Sequence, residues 1–310
     1  MASIGFLALA LSCLASIMLQ FRGNPADLGF LTADRSLAAE LFAWVFFVIA
    51  LLFVLRSAAA RDSSRLVRAG VSVCVLGALL ECASVGFAVH GVSYVIPPAS
   101  LYKGEFSLAA LGWCALAVGV FIIQRNWADP RPVRGTAGLV AWSEQHPWQR
   151  ALLVVTIALM CSALGATLGF GNYVAWPHSR TQAVLLSSYV PQVLTWVSVA
   201  LAGFIVVNAA RRGRLAKRLA IPASFAAAGG LVLTVSTVSL LAAVELLYRF
   251  LKFAWIAPLI QTETVAACVG MLVFAGACIA AAAGRQELPP GRRATQSAPP
   301  YWPQVGTTTS

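Results

Sequence analysis

Eight stretches of the chain carry at most two charges each and are otherwise almost wholly apolar: 4–21, 37–55, 67–90, 105–124, 151–172, 183–208, 219–248 and 254–283. Their lengths match the roughly 20 residues that a helix needs to cross about 30 Å of hydrocarbon. None alternates apolar and polar positions with period 2, so barrel strands are not expected. A lipid-facing segment must satisfy its own backbone hydrogen bonds, which leaves helices as the predicted elements. The predicted fold is all-α, a polytopic membrane protein with eight transmembrane helices in two four-helix halves. The first half is 1–127, a connecting loop covers 128–150, the second half is 151–284, and 285–310 forms a tail. That tail contains Pro289-Pro290, Pro299-Pro300 and Pro303 and ends in Thr and Ser. It lacks the apolar content for a core and is expected to be disordered.

Composition agrees with the pattern. Hydrophobic residues make up 59% and charged residues 11%, against about 25% charged in an ordinary soluble domain. The formal charge of +11 would suggest nucleic acid in a soluble chain. Here the cations are sorted by loop: sixteen Lys and Arg flank alternate connections and the carboxy-terminal tail, including Arg56 to Arg68, Arg125 to Arg150 and Arg211 to Arg218, and six lie on the other side. By the positive-inside rule both termini face the cytoplasm, and no nucleic-acid partner is needed to explain the charge. The seven cysteines, at 13, 74, 82, 114, 161, 268 and 278, all fall in apolar runs without a CxxC pair. They read as packing residues rather than disulfide partners or zinc ligands. The amino-terminal run has no preceding cation and no convincing cleavage site, so it is taken as a span and not a signal peptide.

Each half has the same layout of span, short outer loop, span, basic inner loop, span, longer outer loop and span. Local echoes accompany it: Leu11-Ser12-Cys13 against Leu159-Met160-Cys161, and Glu105-Phe106-Ser107-Leu108 against Glu263-Thr264-Val265-Ala266. An internal repeat would place a site between the halves.

Ionisable groups within spans cost several kilocalories and mark functional positions by default. They are Glu40, Glu81, Glu105, Glu245 and Glu263, with Arg249 and Lys252 beside the seventh span. Glu245 and Arg249, four apart, are expected to pair on one helix face. Glu105 and Glu263 are expected to open the fourth and eighth spans, where a carboxylate complements the helix dipole. Glu81 is the deepest and the leading buried carboxylate. His90 and His178 are placed on the outer side and His146 on the inner side. None lies in mid-span, so the paired histidines of transmembrane b-type haems are missing.

Three segments resemble the cytochrome c assembly family of haem-handling membrane proteins. Ile96-Pro97-Pro98-Ala99-Ser100-Leu101-Tyr102-Lys103-Gly104-Glu105-Phe106 is similar to that family's loop into its fourth helix here. Leu185-Leu186-Ser187-Ser188-Tyr189-Val190-Pro191 is similar to a later helix start, and Pro258-Leu259-Ile260-Gln261-Thr262-Glu263-Thr264-Val265-Ala266 to the segment closing the haem loop. The tryptophan-rich part of that loop is replaced by Tyr248 to Pro258, with Trp255 its one tryptophan. The resemblance implies a bacterial plasma (inner) membrane protein of haem handling or c-type cytochrome maturation, including a relative without haem ligation, working with other cytochrome-assembly or redox subunits. It implies haem on an outer aromatic platform that includes Tyr102, Trp176 and Trp255, with Lys103, Lys252 or Arg249 toward the propionates and His90 or His178 toward the iron. Two other functions are open from the residues: a proton- or cation-coupled transporter of small molecules using Glu81 and Glu245, and a membrane anchor for a redox enzyme whose quinone would contact Glu105 or Glu263.

Overall fold

A computed structural model describes residues 2–22, 28–60, 64–92, 99–126, 147–175, 182–246 and 253–283. They form eight long helices: α1 (Ala2–Arg22), α2 (Leu28–Ala60), α3 (Arg65–Val92), α4 (Ala99–Asn126), α5 (Pro147–Ala175), α6 (Gln182–Arg211), α7 (Ala220–Glu245) and α8 (Phe253–Ala283). A single 3-10 turn, Lys217–Leu219, precedes α7, and no strand occurs among the described residues. Most of the predicted connecting loop and the whole of the predicted tail lie outside the described residues.

Helices overrun the apolar runs that announced them. α2 starts at Leu28 and carries Asp34 and Arg35 inside it, because continuing the helix keeps each backbone group paired where a loop would leave it open. α2 to α8 each contain 23 to 27 residues long and apolar enough to cross a bilayer. The chain is therefore a membrane-embedded, multi-pass protein. In α1 the described apolar stretch is Ala2–Leu11.

Burial is sorted by size in the sense expected of lipid as solvent. The most buried apolar positions are predominantly small, such as Ala43, Ala78, Ala117, Ala158, Ala210 and Ala275. Large side chains such as Leu11, Phe42, Leu111, Leu164 and Ile221 point outward. Lipid tails solvate leucine as well as another helix does, so helices associate through close approach of small residues instead.

Each long helix packs against its neighbours in sequence, and α8 closes on α1, giving a ring of eight. The first four helices and the last four meet through contacts as continuous as those within each set, at α4 against α5 and α1 against α8. The tightest pair is α3 and α4. A Cβ on Gly77 would lie 2.8 Å from the Gly112 carbonyl oxygen, and one on Gly119 would lie 2.7 Å from that of Gly70. α6 and α7 approach in the same manner, with Gly203 against Ala223 and Ala227, and Gly230 against Trp196 and Ala200.

Aromatic rings connect helices that the backbone contacts leave apart. Trp113 on α4 meets Trp44 on α2 at 5.5 Å, Trp44 meets Phe47 at 5.7 Å, and Phe47 meets Phe6 on α1 at 5.0 Å. Phe6 then stacks on Phe274 of α8 at 5.3 Å, and Phe274 meets Trp196 of α6 at 6.1 Å. The offset and edge-on geometries are those that aromatic quadrupoles favour.

At the end of the ring that carries most of the described cations, α6 stops at a Schellman cap. Gly213 adopts a φ of 70°, Arg214 N–H donates to the Ala209 carbonyl, and Gly213 N–H donates to that of Ala210. Arg211, Arg212, Arg214, Lys217 and Arg218 are exposed around this turn.

Candidate functional site

The polar interior of the ring is a cavity of about 270 Å³ between α2, α3, α4, α5 and α6. Three carboxylates line it, one from each of three successive helices: Glu40, Glu81 and Glu105. Ser84, Ser162 and Gln192 add neutral polar groups, and Trp113 and Phe106 supply aromatic wall.

Glu81 holds the central place. It lies three residues past the midpoint of the span Arg65–Gly91, so its carboxyl is close to mid-membrane. The residue is 4% exposed, and its Oε1 has no hydrogen-bond partner. Space for the side chain exists because α4 has a glycine opposite. A Cβ on Gly112 would lie 2.5 Å from Oε1, so any larger residue would push the carboxyl out of place.

Glu105 stands nearer the α4 amino terminus, six residues after Ala99. Its carbonyl oxygen accepts a 2.8 Å hydrogen bond from the Ser84 hydroxyl, which ties α4 to α3 beside the cavity. Glu40 is hydrogen-bonded to the Trp44 side chain and lies close enough to both Glu81 and Glu105 for their charges to interact. On the far wall the Ser162 hydroxyl shares a 2.9 Å hydrogen bond with that of Thr195.

Chemically the lining is rich in acceptors, with the Gln192 amide and the Trp113 indole supplying its side-chain N–H groups. Among the described residues no Lys, Arg or His lines the cavity. Among the described residues no group of three His, Cys, Asp or Glu side chains converges on a point that could hold a metal ion. The carboxylates are spread around a space instead of gathered on one.

The sequence singled out Glu81 and Glu105, and the structure brings them together with Glu40. It does not bring Glu245 to them, because that residue is the last of α7. Glu263 lies on α8, half-buried, with Thr264 Oγ1 donating to its Oε2 at 3.1 Å, and is also apart from the cavity. Neither Glu105 nor Glu263 occupies a first helical turn, because α4 and α8 begin at Ala99 and Phe253. The dipole argument for those two carboxylates therefore fails.

His90 is exposed near the end of α3. Tyr102 and Trp255 fall in α4 and α8 at positions whose side chains are outside the described set, and Trp176, His178 and Arg249 lie outside the described residues altogether. Among the described residues, the lining of the cavity has none of the His, Cys, Met or Tyr side chains that hold haem iron. Trp44, Trp113, Ser162 and Gln192 were not foreseen. Only the depth of Trp44 and Trp113 within their runs could have marked them, and apolar spans carry such residues routinely.

No protein-family model, curated protein or solved structure matches the chain.

Proposed function

We propose that this protein is a carrier of the bacterial plasma membrane, with all eight long helices crossing and both termini cytoplasmic, that moves a small solute through the Glu81 cavity coupled to protons or another cation. One observation carries this reading: a carboxyl near mid-span, 4% exposed, with an oxygen that has no partner and a cavity beside it. An uncompensated charge at that depth costs several kilocalories per mole, so such residues persist where a cation or proton is bound and released. Gly112 leaves the carboxyl room, and Glu40 and Glu105 supply two further positions for a proton or cation. The two termini follow from the cation-rich loops.

Protein reconstituted into liposomes with an entrapped pH dye tests the reading directly. A panel of small solutes added outside is expected to contain one or more that drive proton movement, and Glu81→Gln is expected to abolish it. Glu245→Gln, away from the cavity, is expected to keep at least half of the rate. Solute-driven flux that survives Glu81→Gln would overturn the assignment of the site. Haem handling, which the cytochrome-assembly resemblance implies, would instead use the end of the ring near His90. A Soret band in the purified protein, lost in a His90→Ala, His178→Ala double variant, would establish that function in place of this one.

A further inference from the structure

We infer that the ligand of the cavity is a small organic ammonium ion, an inference that rests on the carrier reading above and specifies its solute. Three observations narrow the chemistry. First, the wall carries three carboxyl groups and, among the described residues, no basic side chain that would pair with an anionic ligand. Second, the two serine hydroxyls of the wall are already engaged. The Ser84 hydroxyl donates to the Glu105 carbonyl, and the Ser162 hydroxyl is bonded to that of Thr195. Glu81 lines the space as well, and its Oε1, packed against Gly112, is buried without a hydrogen-bond partner. Such a wall selects a ligand rich in N–H groups.

Third, the acceptors are distributed over α2, α3 and α4, with no convergent group among the described residues. A calcium or magnesium ion needs oxygens gathered at roughly 2.0–2.6 Å around one point. An alkylammonium ion differs, because its N–H groups reach separate acceptors and its carbon chain needs apolar contact. Trp113 lines the space, and an indole is the strongest of the aromatic partners for a cation. Trp44 packs against it with ring centroids 5.5 Å apart. The volume of about 270 Å³ lies just below the roughly 300–1,000 Å³ of small-molecule pockets, so the ligand is small.

Thermal melting of the purified full chain in mild detergent, with butylamine and 1,4-diaminobutane as probes, tests this. Both amines are expected to raise the melting temperature in a saturable way, while sodium, magnesium and glutamate at equal ionic strength do not. Glu81→Gln and, separately, Glu105→Gln are expected to weaken amine binding at least tenfold. Trp113→Leu is expected to weaken it several-fold, in line with loss of a cation–π contact. Amine stabilisation unchanged in both carboxylate variants, or stabilisation by the inorganic cations or by glutamate but not by the amines, would overturn the inference. The two readings fail separately. Glu81-dependent proton flux driven only by a non-amine solute retains the carrier and removes the ammonium ligand. Amine binding lost in Glu81→Gln, with no amine-driven flux in liposomes, retains the ligand and removes the carrier.

Discussion

The α3–α4 and α7–α8 pairs are built on one contact and diverge at one side chain. In the first, Gly77 packs on Gly112, with the Leu116 side chain over Gly77 and Glu81 over Gly112. In the second, Gly229 faces Gly270, with Phe274 over Gly229 and Leu233 over Gly270. The spacings agree on both helices, since Glu81 follows Gly77 as Leu233 follows Gly229, and Leu116 follows Gly112 as Phe274 follows Gly270. The same register sets Glu105 opposite Glu263, each seven residues before its glycine, and Ser84 opposite Ser236, both buried. One frame thus accommodates a carboxyl in one half and a leucine in the other. Both side chains are buried, at 4% and 3% exposure, and both pack on the facing glycine; what differs is that Glu81 also lines the cavity, which Leu233 does not.

Exchanging those two side chains should give the largest effect and is the most direct way to break the comparison. Leu233→Glu puts a carboxyl where no described cavity receives it and is expected to cost about 3 kcal/mol, the scale for a charge placed mid-helix in a membrane. Glu81→Leu removes a buried oxygen without a partner, and is expected to leave stability unchanged or raise it by about 1–2 kcal/mol while abolishing solute-driven flux. Opposite signs are the point of the test. Melting followed with a thiol-reactive dye can read both, because all seven cysteines are partly or fully buried. If Glu81→Leu destabilised as strongly as Leu233→Glu, the carboxyl would be a structural residue and the functional contrast between the halves would vanish.

The glycines come next. An Ala at Gly77 would bring its Cβ 2.8 Å from the Gly112 carbonyl oxygen and 2.8 Å from the Leu116 backbone nitrogen, atoms that move only with the helix. At Gly229 the nearest atoms are in the Phe274 ring at 2.9 Å, and the Gly270 oxygen is at 3.4 Å. Gly77→Ala is therefore expected to cost about 2–3 kcal/mol, in the upper range for overpacking, and Gly229→Ala about 1 kcal/mol or less. Equal costs would show that the Phe274 ring, held by Phe6 and Trp196, is as immobile as backbone.

How much of this could be read from the sequence depends on which interactions are local. The helices were legible because a span must be continuous and long, and a run such as 219–248 reproduces Ala220–Glu245 closely. Glu81 was legible for the same reason, since one charge in a long apolar segment stands out whatever surrounds it. Its partners were not. Glu40 and Glu105 carry the same local signature as Glu245, yet only the first two reach the cavity, because helix rotation and ring order decide that and neither is written in any one segment. The glycine contacts were hidden by number, as 24 glycines give many possible pairings and only antiparallel register selects Gly77 with Gly112. The echo between Glu105 and Glu263 was visible in sequence, and the glycine register places the two residues at equivalent points of α4 and α8. The segments of the family resemblance fall mostly at the starts of α4, α6 and α8, and of their residues only Glu105 and Phe106 line the cavity.

The smallest expected effect concerns how the first and second helices of each half are joined. On α5 and α6 the contact is polar: Thr195 Oγ1 lies 3.1 Å from the Ala158 carbonyl oxygen, 3.0 Å from that of Pro191 and 2.9 Å from Ser162 Oγ. The two carbonyls can only accept and compete for the single Thr195 hydroxyl proton, so in the Ser162 contact it is Ser162 that donates and Thr195 that accepts. On α1 and α2 the corresponding contact is steric, with Gly5 against the Ala43 backbone and the Phe47 ring. Interhelical hydrogen bonds inside membranes average about 0.6 kcal/mol, because the polar groups find other partners when the helices part. Thr195→Val keeps the shape and removes the hydroxyl, so it is expected to cost about 0.6 kcal/mol. It is also expected to leave Ser162 free to turn toward the cavity it lines, changing solute-driven flux more than stability. Gly5→Ala, which would place a Cβ 3.1 Å from the Ala43 carbonyl oxygen, is expected to change stability by about 1 kcal/mol and flux hardly at all. If Gly5→Ala altered flux as much as Thr195→Val, packing around the whole ring, and not the hydroxyl beside the cavity, would set the activity.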